Sequence, residues 1–97
     1  MRIISGKFRG LKLHSPTNIE IRPTSDRLRE SLFSIINSNK YNVNILDANV
    51  IDICTGTGSL GIEALSRGAK NLYLIDNEQN SLNIVKKNLS KIKSYEI

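Results

Sequence analysis

The sequence predicts an α/β fold in which helices cover a parallel sheet, preceded by a hairpin and a helix. The first observation is a strand, turn, helix, strand, helix run from residue 50 onward, which is the order of a βαβα unit. The second is the spacing G-x-G-x-x-G between the first strand of that run and its helix. The third is the mixture of basic and apolar residues at the N-terminus, which is typical of a short hairpin rather than of a helix.

The composition limits the protein to one small domain. Its 97 residues are 39% hydrophobic and 24% charged, which is close to the average for soluble globular proteins. The net charge of +5 attracts polyanions, although ordinary proteins also carry such a charge. No apolar run approaches the ~18 residues of a membrane span, and the single Cys54 has no partner for an internal disulfide. We therefore expect a cytoplasmic monomer without membrane contact.

Residues 1–14 are predicted to form the hairpin, with Gly6 and Gly10 as turn or bulge positions. One face would be basic, and its cations could contact phosphates or simply face solvent. Phe8 is expected to join the core. His14 has no second ligand at metal-binding spacing and is expected to lie at the surface.

A helix is predicted over residues 25–37, after a short strand candidate at 19–21. The run from Pro23 to Asp26 supplies a helix start. The expected apolar stripe of this helix consists of Leu28, Leu32, Phe33, Ile35 and Ile36. Five polar residues near the helix start could serve as caps and form ion pairs with Glu30; they are Arg22, Thr24, Asp26, Arg27 and Arg29. The chain is then divided into residues 1–38, a linker at 39–49, and residues 50–97.

The second half is predicted to contain strands at 50–53 and 72–75 and helices at 59–67 and about 79–92. The last helix would pack its apolar residues inward and present its lysines to solvent. Since only two parallel strands are predicted, an apolar edge of the sheet should remain exposed.

The glycine turn is the strongest binding signal in the sequence. Gly56 and Gly58 would let the backbone approach a ligand, Gly61 would permit close packing of helix on strand, and Asp76 could accept bonds from ribose hydroxyls. Asp52 places a carboxylate where a dinucleotide would place its pyrophosphate, which it would repel, whereas it would attract a methyl donor that carries a positive charge. A purely structural turn and an NAD-dependent oxidoreductase are the alternatives, and Asp52 disfavours the latter.

Three stretches in order resemble one known family. They are RIISGKFRGLKL at residues 2–13, RPTSDRLRESLF at 22–33, and DICTGTGSLGIEALSRGA at 52–69. The third, and especially its part from Glu63 to Ala69, is similar to the first cofactor motif of the 16S ribosomal RNA (guanine-N(2)-)-methyltransferase family, known as RsmD. The other two are similar to the opening and to the RPT-x-DR-x-RE-x-LF signature of that family.

The resemblance implies a class I methyltransferase fold of Rossmann-like type and transfer of a methyl group from S-adenosylmethionine to the exocyclic amine of a guanine. The implied partner is 16S rRNA or the assembling small ribosomal subunit. The implied cofactor residues are Asp52, Thr55, Gly56, Thr57, Gly58, Asp76 and Asn77. The implied RNA-binding residues are Arg2, Lys7, Arg9, Lys12, Arg22, Thr24 and Arg27. For the five polar residues near the helix start, the resemblance implies, as the alternative to caps and ion pairs, that they border a binding pocket.

One motif of the family is absent. Its members carry an Asn or Asp, two prolines and an aromatic residue that hold the target amine, whereas the only prolines here are Pro16 and Pro23. We therefore assign no catalytic residue, and expect the 97-residue chain to represent a truncated form of the fold with little turnover of its own. The alternative is a non-catalytic remnant that binds cofactor or RNA.

Overall fold

A computed structural model describes residues 1–15 and 25–92, which form a small α/β fold. The elements of this part of the chain are α1 (Asp26–Ile36), β1 (Asn49–Ile53), α2 (Ser59–Ser66), β2 (Asn71–Ile75) and α3 (Gln79–Leu89). They confirm the predicted order and type, although α3 ends at Leu89 rather than at residue 92. The strand predicted at 19–21 lies outside the described residues. No helix within the described ranges is long and apolar enough to cross a membrane.

Strands β1 and β2 pair in parallel, with Val50 opposite Leu72 and Ile53 opposite Ile75. Helix α2 connects them and packs on one face of the sheet. Gly61 makes this approach possible, because a Cβ atom there would lie 2.6 Å from Leu74 Cδ2 and 2.9 Å from Leu72 Cδ1. The predicted role of Gly61 in helix–strand packing is confirmed.

The opposite face of the sheet is apolar and exposed. Its side chains are Ile51, Ile53, Tyr73 and Ile75, each more than half accessible to solvent. The sequence predicted an exposed apolar edge, and the structure extends the exposure to a whole face. Because side chains alternate along a strand, the residues between them face α2 and are half-buried.

The N-terminal segment folds back on itself, as predicted, around a single antiparallel bridge between Arg2 and Lys12. The Ile3 amide donates to the Leu11 carbonyl at 2.9 Å, and the Leu13 amide donates to the Met1 carbonyl at 3.0 Å. Ile3 and Leu13 are buried in a core cluster with Ile62, Leu65 and Ile92. The partly buried Phe8 packs against this cluster, which confirms its predicted place.

Helix α1 begins as the sequence predicts, because the Ser25 hydroxyl accepts the Leu28 amide at 3.1 Å. Its buried face differs from the predicted stripe. Leu28 and Ile35 are 58% and 50% exposed, whereas Arg29 and Phe33 are buried. Phe33 belongs to a second core cluster, with Ile45, Ala64 and Ala69. The inward face is therefore set by Phe33 together with the ion-pair partners of Arg29, and Leu28 and Ile35 lie outside it.

Candidate functional site

The predicted cofactor residues gather at the carboxyl ends of β1 and β2, where parallel sheets bind ligands. Asp52 is the penultimate residue of β1, and Asp76 follows β2 directly. The Thr55 amide donates to the Ile75 carbonyl at 3.0 Å, which holds the glycine turn against the neighbouring strand. The sequence also predicts that Cys54 packs as a small apolar residue beside the glycine turn. The structure leaves it exposed, with a φ of 60°, so that prediction is wrong.

The carboxylate of Asp52 is fixed from two sides. Its Oδ2 atom accepts the Thr55 hydroxyl at 2.8 Å and the Gly61 amide at 3.0 Å. Gly61 lies in the first turn of α2, where backbone amides have no acceptor within the helix and can bind an anion. The Asp52 carboxylate takes up this amide, so it is not available to an anionic ligand. A negative charge is thereby built into the start of α2.

The carboxylate of Asp76 is held in a similar way. Its Oδ1 atom accepts the Glu78 amide and its Oδ2 atom accepts the Gly56 amide, each at 2.9 Å. The Glu78 amide, followed by the Gly56 amide and more weakly the Asn77 amide, lowers the pKa of Asp76 against the opposing effect of its partial burial. The group is therefore ionised at neutral pH, and a carboxylate with about four lone-pair sites retains acceptors for ligand hydroxyls.

Several backbone amides of the glycine turn already donate hydrogen bonds to acceptors within the protein. Gly56 and Gly58 have φ values of 58° and 82°, which favour glycine, and the Gly58 amide donates to the Thr55 carbonyl at 2.9 Å. Thr57 is buried, with its hydroxyl 3.9 Å from the Met1 sulfur and accepting the Ser59 amide at 3.3 Å. An anionic pyrophosphate would therefore meet few unoccupied amides and a fixed carboxylate.

The charge of this site has no salt-bridge partner among the described residues, since no salt bridge within 1–15 and 25–92 involves Asp52 or Asp76. Asn77, the remaining predicted cofactor residue, is exposed next to Asp76. The arrangement suits a ligand that carries both hydroxyl donors and a positive group.

Three of the predicted RNA-binding residues come together at a second place. Arg2 and Arg9 of the hairpin and Arg27 of α1 line an open cavity of about 480 Å³, with Asp26 and Glu30 on the same rim. Lys7 and Lys12 are exposed on the hairpin but do not line this cavity. Arg22 and Thr24 lie outside the described residues.

A buried ionic junction between α1, α2 and the hairpin was not predicted. Arg29 and Glu63 have fully buried side chains, with Arg29 Nη1 at 3.2 Å from Glu63 Oε1. Arg67 Nε donates to Glu63 Oε2 at 2.9 Å. Ion pairs with Glu30 were one alternative for the start of α1, and no salt bridge within residues 1–15 and 25–92 involves Glu30. The available signal was Glu63 itself, a lone charge in an otherwise apolar helix, which indicates a buried partner.

Asn88 of α3 is a second buried polar residue that sequence analysis missed. Its Oδ1 atom accepts the His14 amide at 2.6 Å, and its Nδ2 atom donates to the Thr57 carbonyl at 2.8 Å. It therefore connects the end of the hairpin to the glycine turn. His14 itself lies at the surface, as expected.

Comparison with known proteins agrees with the resemblance. A family model described as conserved hypothetical protein 95 matches residues 1–97. The ribosomal RNA small subunit methyltransferase D of Escherichia coli K12 is 42% identical over 94 residues, which cover 97% of this chain and 45% of that protein. The protein of the same name from Haemophilus influenzae is 40% identical and covers 96% and 46%. The chain thus spans about half the length of these curated relatives.

A solved structure gives the same result for the fold. The candidate methyltransferase yhhF from Escherichia coli superposes with a TM-score of 0.78 at 40% identity, over 97% of this chain and 48% of that one. The arrangement of strands, glycine turn and helices described above is therefore shared with that protein.

Proposed function

The chain belongs to the RsmD-like family, and on that premise we propose that the protein is an rRNA methyltransferase that uses S-adenosylmethionine. In the finer form of the proposal, the methyl group goes to the exocyclic amine of a guanine in 16S rRNA. The substrate would be met on the assembling small subunit.

The observation that carries the cofactor proposal is the pair of carboxylates at the glycine turn. Asp52 and Asp76 lie at the ends of adjacent strands and have no salt-bridge partner in the described part of the chain. S-adenosylmethionine has an ammonium group, a sulfonium centre and a ribose with two hydroxyls, so it matches this donor set. A dinucleotide brings a pyrophosphate to the same place and would be repelled by Asp52.

When bound, the cofactor supplies an activated methyl group on its sulfonium. Asp76 would accept hydrogen bonds from the ribose hydroxyls, and its lowered pKa keeps it an acceptor at neutral pH. Asp52 would favour the cationic part of the cofactor and hold Thr55 and Gly61 in place. The chain's own contribution is thus to orient the cofactor and to favour its positive charge. Both effects can contribute strongly to rate acceleration when two reactants must meet in one geometry.

The cavity lined by Arg2, Arg9 and Arg27, which we call the basic cavity although Asp26 and Glu30 also line it, supports the RNA part of the proposal. Arg2, Arg9 and Arg27 approach one another from two elements, so one stretch of RNA backbone could contact all three. Arginine suits such contacts because its planar fork can bind a phosphate with two hydrogen bonds.

The test combines calorimetry with a methylation assay on the natural protein that contains these 97 residues, since little turnover is expected of the 97 residues alone. S-adenosylhomocysteine should bind to the wild type, Asp76→Ala should weaken it by about tenfold or more because charge-assisted hydrogen bonds are lost, and NAD should not compete. The wild type should then transfer a labelled methyl group to small-subunit RNA, with the modified guanine located by mass spectrometry. Binding of NAD in preference to S-adenosylhomocysteine would refute the cofactor proposal, and label only on protein would refute the RNA substrate.

A further inference from the structure

The ion pair between Arg29 of α1 and Glu63 of α2 joins three elements. Beyond its contact with Glu63, Arg29 Nη2 donates to the carbonyl of Arg2 at 2.8 Å and forms an ion pair with Asp26. Arg2 and Asp26 lie on the two sides of the basic cavity, one on the hairpin and one on α1. One buried side chain therefore holds both walls of the cavity.

Glu63 makes the corresponding contacts to the hairpin. Its Oε1 atom accepts the Ile4 amide at 2.9 Å, and its Oε2 atom accepts the Ser5 amide at 3.2 Å. Helix α2 begins at Ser59, directly after the glycine turn, so Glu63 lies about one helical turn from it. Because a helix is stiff over one turn, the contacts of Glu63 fix the position of the hairpin relative to the glycine turn, which we call the cofactor turn from here on.

Stability alone is a weak reason for this pair. The Arg29 Nε atom is buried and has no hydrogen-bond partner in the described ranges. A buried donor left unpaired costs about 1–3 kcal/mol, and apolar replacements of buried ion pairs are often equally stable. The feature that apolar side chains would not reproduce is the set of directed contacts to Arg2, Asp26 and the hairpin amides.

We propose that Arg29 and Glu63 are positioning residues for methyl transfer, which set the orientation of the basic cavity relative to the cofactor turn. This inference rests on the proposed RNA methyltransferase function. Small displacements of correctly bound reactants can lower a rate by about 100-fold. Loss of the pair should therefore affect the chemical step more than either binding step.

The test uses Arg29→Met together with Glu63→Gln in the full-length protein. The double variant removes the two fully buried charges at once. Arg67, whose side chain is 14% exposed, loses its ionic partner, and the single amide oxygen of glutamine can still accept one of the two hairpin amides. Arg29→Lys is the second variant, which keeps the charge but loses the fork that reaches Glu63 and Arg2. The matched control replaces by alanine Gln79 and Asn83, an exposed pair joined at 3.0 Å on α3.

Three quantities are measured: the dissociation constant of S-adenosylhomocysteine, that of a small-subunit RNA fragment, and the single-turnover methylation rate with both sites saturated. We expect both dissociation constants to stay within about threefold while the rate falls by about 10- to 100-fold in the double variant. Amide exchange at Ile4 and Ser5 should accelerate, Arg29→Lys should lose less rate, and the control should match the wild type.

A wild-type rate in saturated double-variant complexes would overturn the inference, even if the melting temperature had fallen. A loss explained wholly by weaker RNA or cofactor binding would overturn it as well. If the double variant does not fold, the rate of saturated Arg29→Lys decides in the same way. A wild type that methylates no RNA refutes the proposed function and this inference together, whereas an active wild type with an equally fast variant refutes only the inference.

Discussion

The cofactor turn and the Arg29–Glu63 junction both hold carboxylates with hydrogen bonds from backbone amides, but they differ in whether a protein cation pairs with the carboxylate. Asp52 and Asp76 are half-buried, and no salt bridge reaches them in the described part of the chain. Glu63 is fully buried and contacts the guanidinium groups of Arg29 and Arg67. Arg67 in turn lies over the Phe33 ring, 4.7 Å from its centre.

The difference separates a site for a ligand from a joint between elements. A carboxylate near solvent can remain charged without a protein partner and can bind a ligand, whereas a buried carboxylate requires partners within the protein. Amide hydrogen bonds alone therefore do not mark a binding site. The decisive features are exposure and the absence of a compensating charge.

The largest expected effect comes from removing one charge at the junction. Glu63→Gln removes the buried counter-ion of Arg29 and leaves only the solvent-accessible Asp26 as its ionic partner, so we expect the free energy of unfolding to fall by about 3–5 kcal/mol. Urea denaturation followed by circular dichroism measures this change. A loss below ~1 kcal/mol, typical of surface ion pairs, would mean that the junction behaves like an exposed ion pair. It would contradict the difference proposed between the junction and the cofactor turn.

A smaller effect is expected at Asn88, which connects the hairpin to the cofactor turn. Asn88→Ala leaves the Thr57 carbonyl and the His14 amide without their partner, which should lower the free energy of unfolding by about 1–3 kcal/mol. Binding of S-adenosylhomocysteine should weaken as well, because Thr57 lies in the turn. The control is Asn83→Ala on the exposed side of the same helix, and an equal loss there would contradict the assignment.

Asp52→Asn makes the same chemical change as Glu63→Gln, but in the open site. Asparagine can still accept the Thr55 hydroxyl and the Gly61 amide, so unfolding should change by less than ~1 kcal/mol. Calorimetry should nevertheless show S-adenosylhomocysteine binding weakened by up to about tenfold, since its ammonium loses a nearby negative charge. Unchanged affinity would show that Asp52 is only structural.

The smallest effect concerns the pH dependence of stability at Asp76. The Glu78 and Gly56 amides lower its pKa in the folded state, so its ionisation contributes stability above the unfolded pKa of about 3.9. That contribution is lost as the pH falls through the folded pKa. The stability difference between wild type and Asp76→Asn should therefore shrink when denaturation is repeated from pH 5 down to pH 3. A constant difference would contradict this sign.

Much of the fold could be predicted because its signals are local. The helix start at residues 23–26, the glycine spacing and the βαβα order placed all five elements, four of them to within a residue at each end. The candidate cofactor residues could be placed for the same reason, since the carboxyl ends of parallel strands meet at one edge of a sheet. Their ligand, like the RNA contacts and the division of the chain into regions, stays a prediction.

The face of α1 shows where local signals fail. The predicted stripe buries Phe33, but its members Leu28 and Ile35 are exposed, and the helix buries Arg29 as well. No property of α1 alone favours a buried arginine, because an isolated charge in the interior is strongly unfavourable. The preference arises only when another element supplies the compensating carboxylate.

The sequence by itself therefore determined the order of strands and helices, the glycine turn and the two carboxylates beside it, since each depends on neighbours within a few positions. Only the tertiary structure decided which charges are enclosed and which stay available. Arg29 and Glu63 are 34 positions apart in the chain, and each becomes acceptable in the core only because folding brings the other within hydrogen-bonding distance.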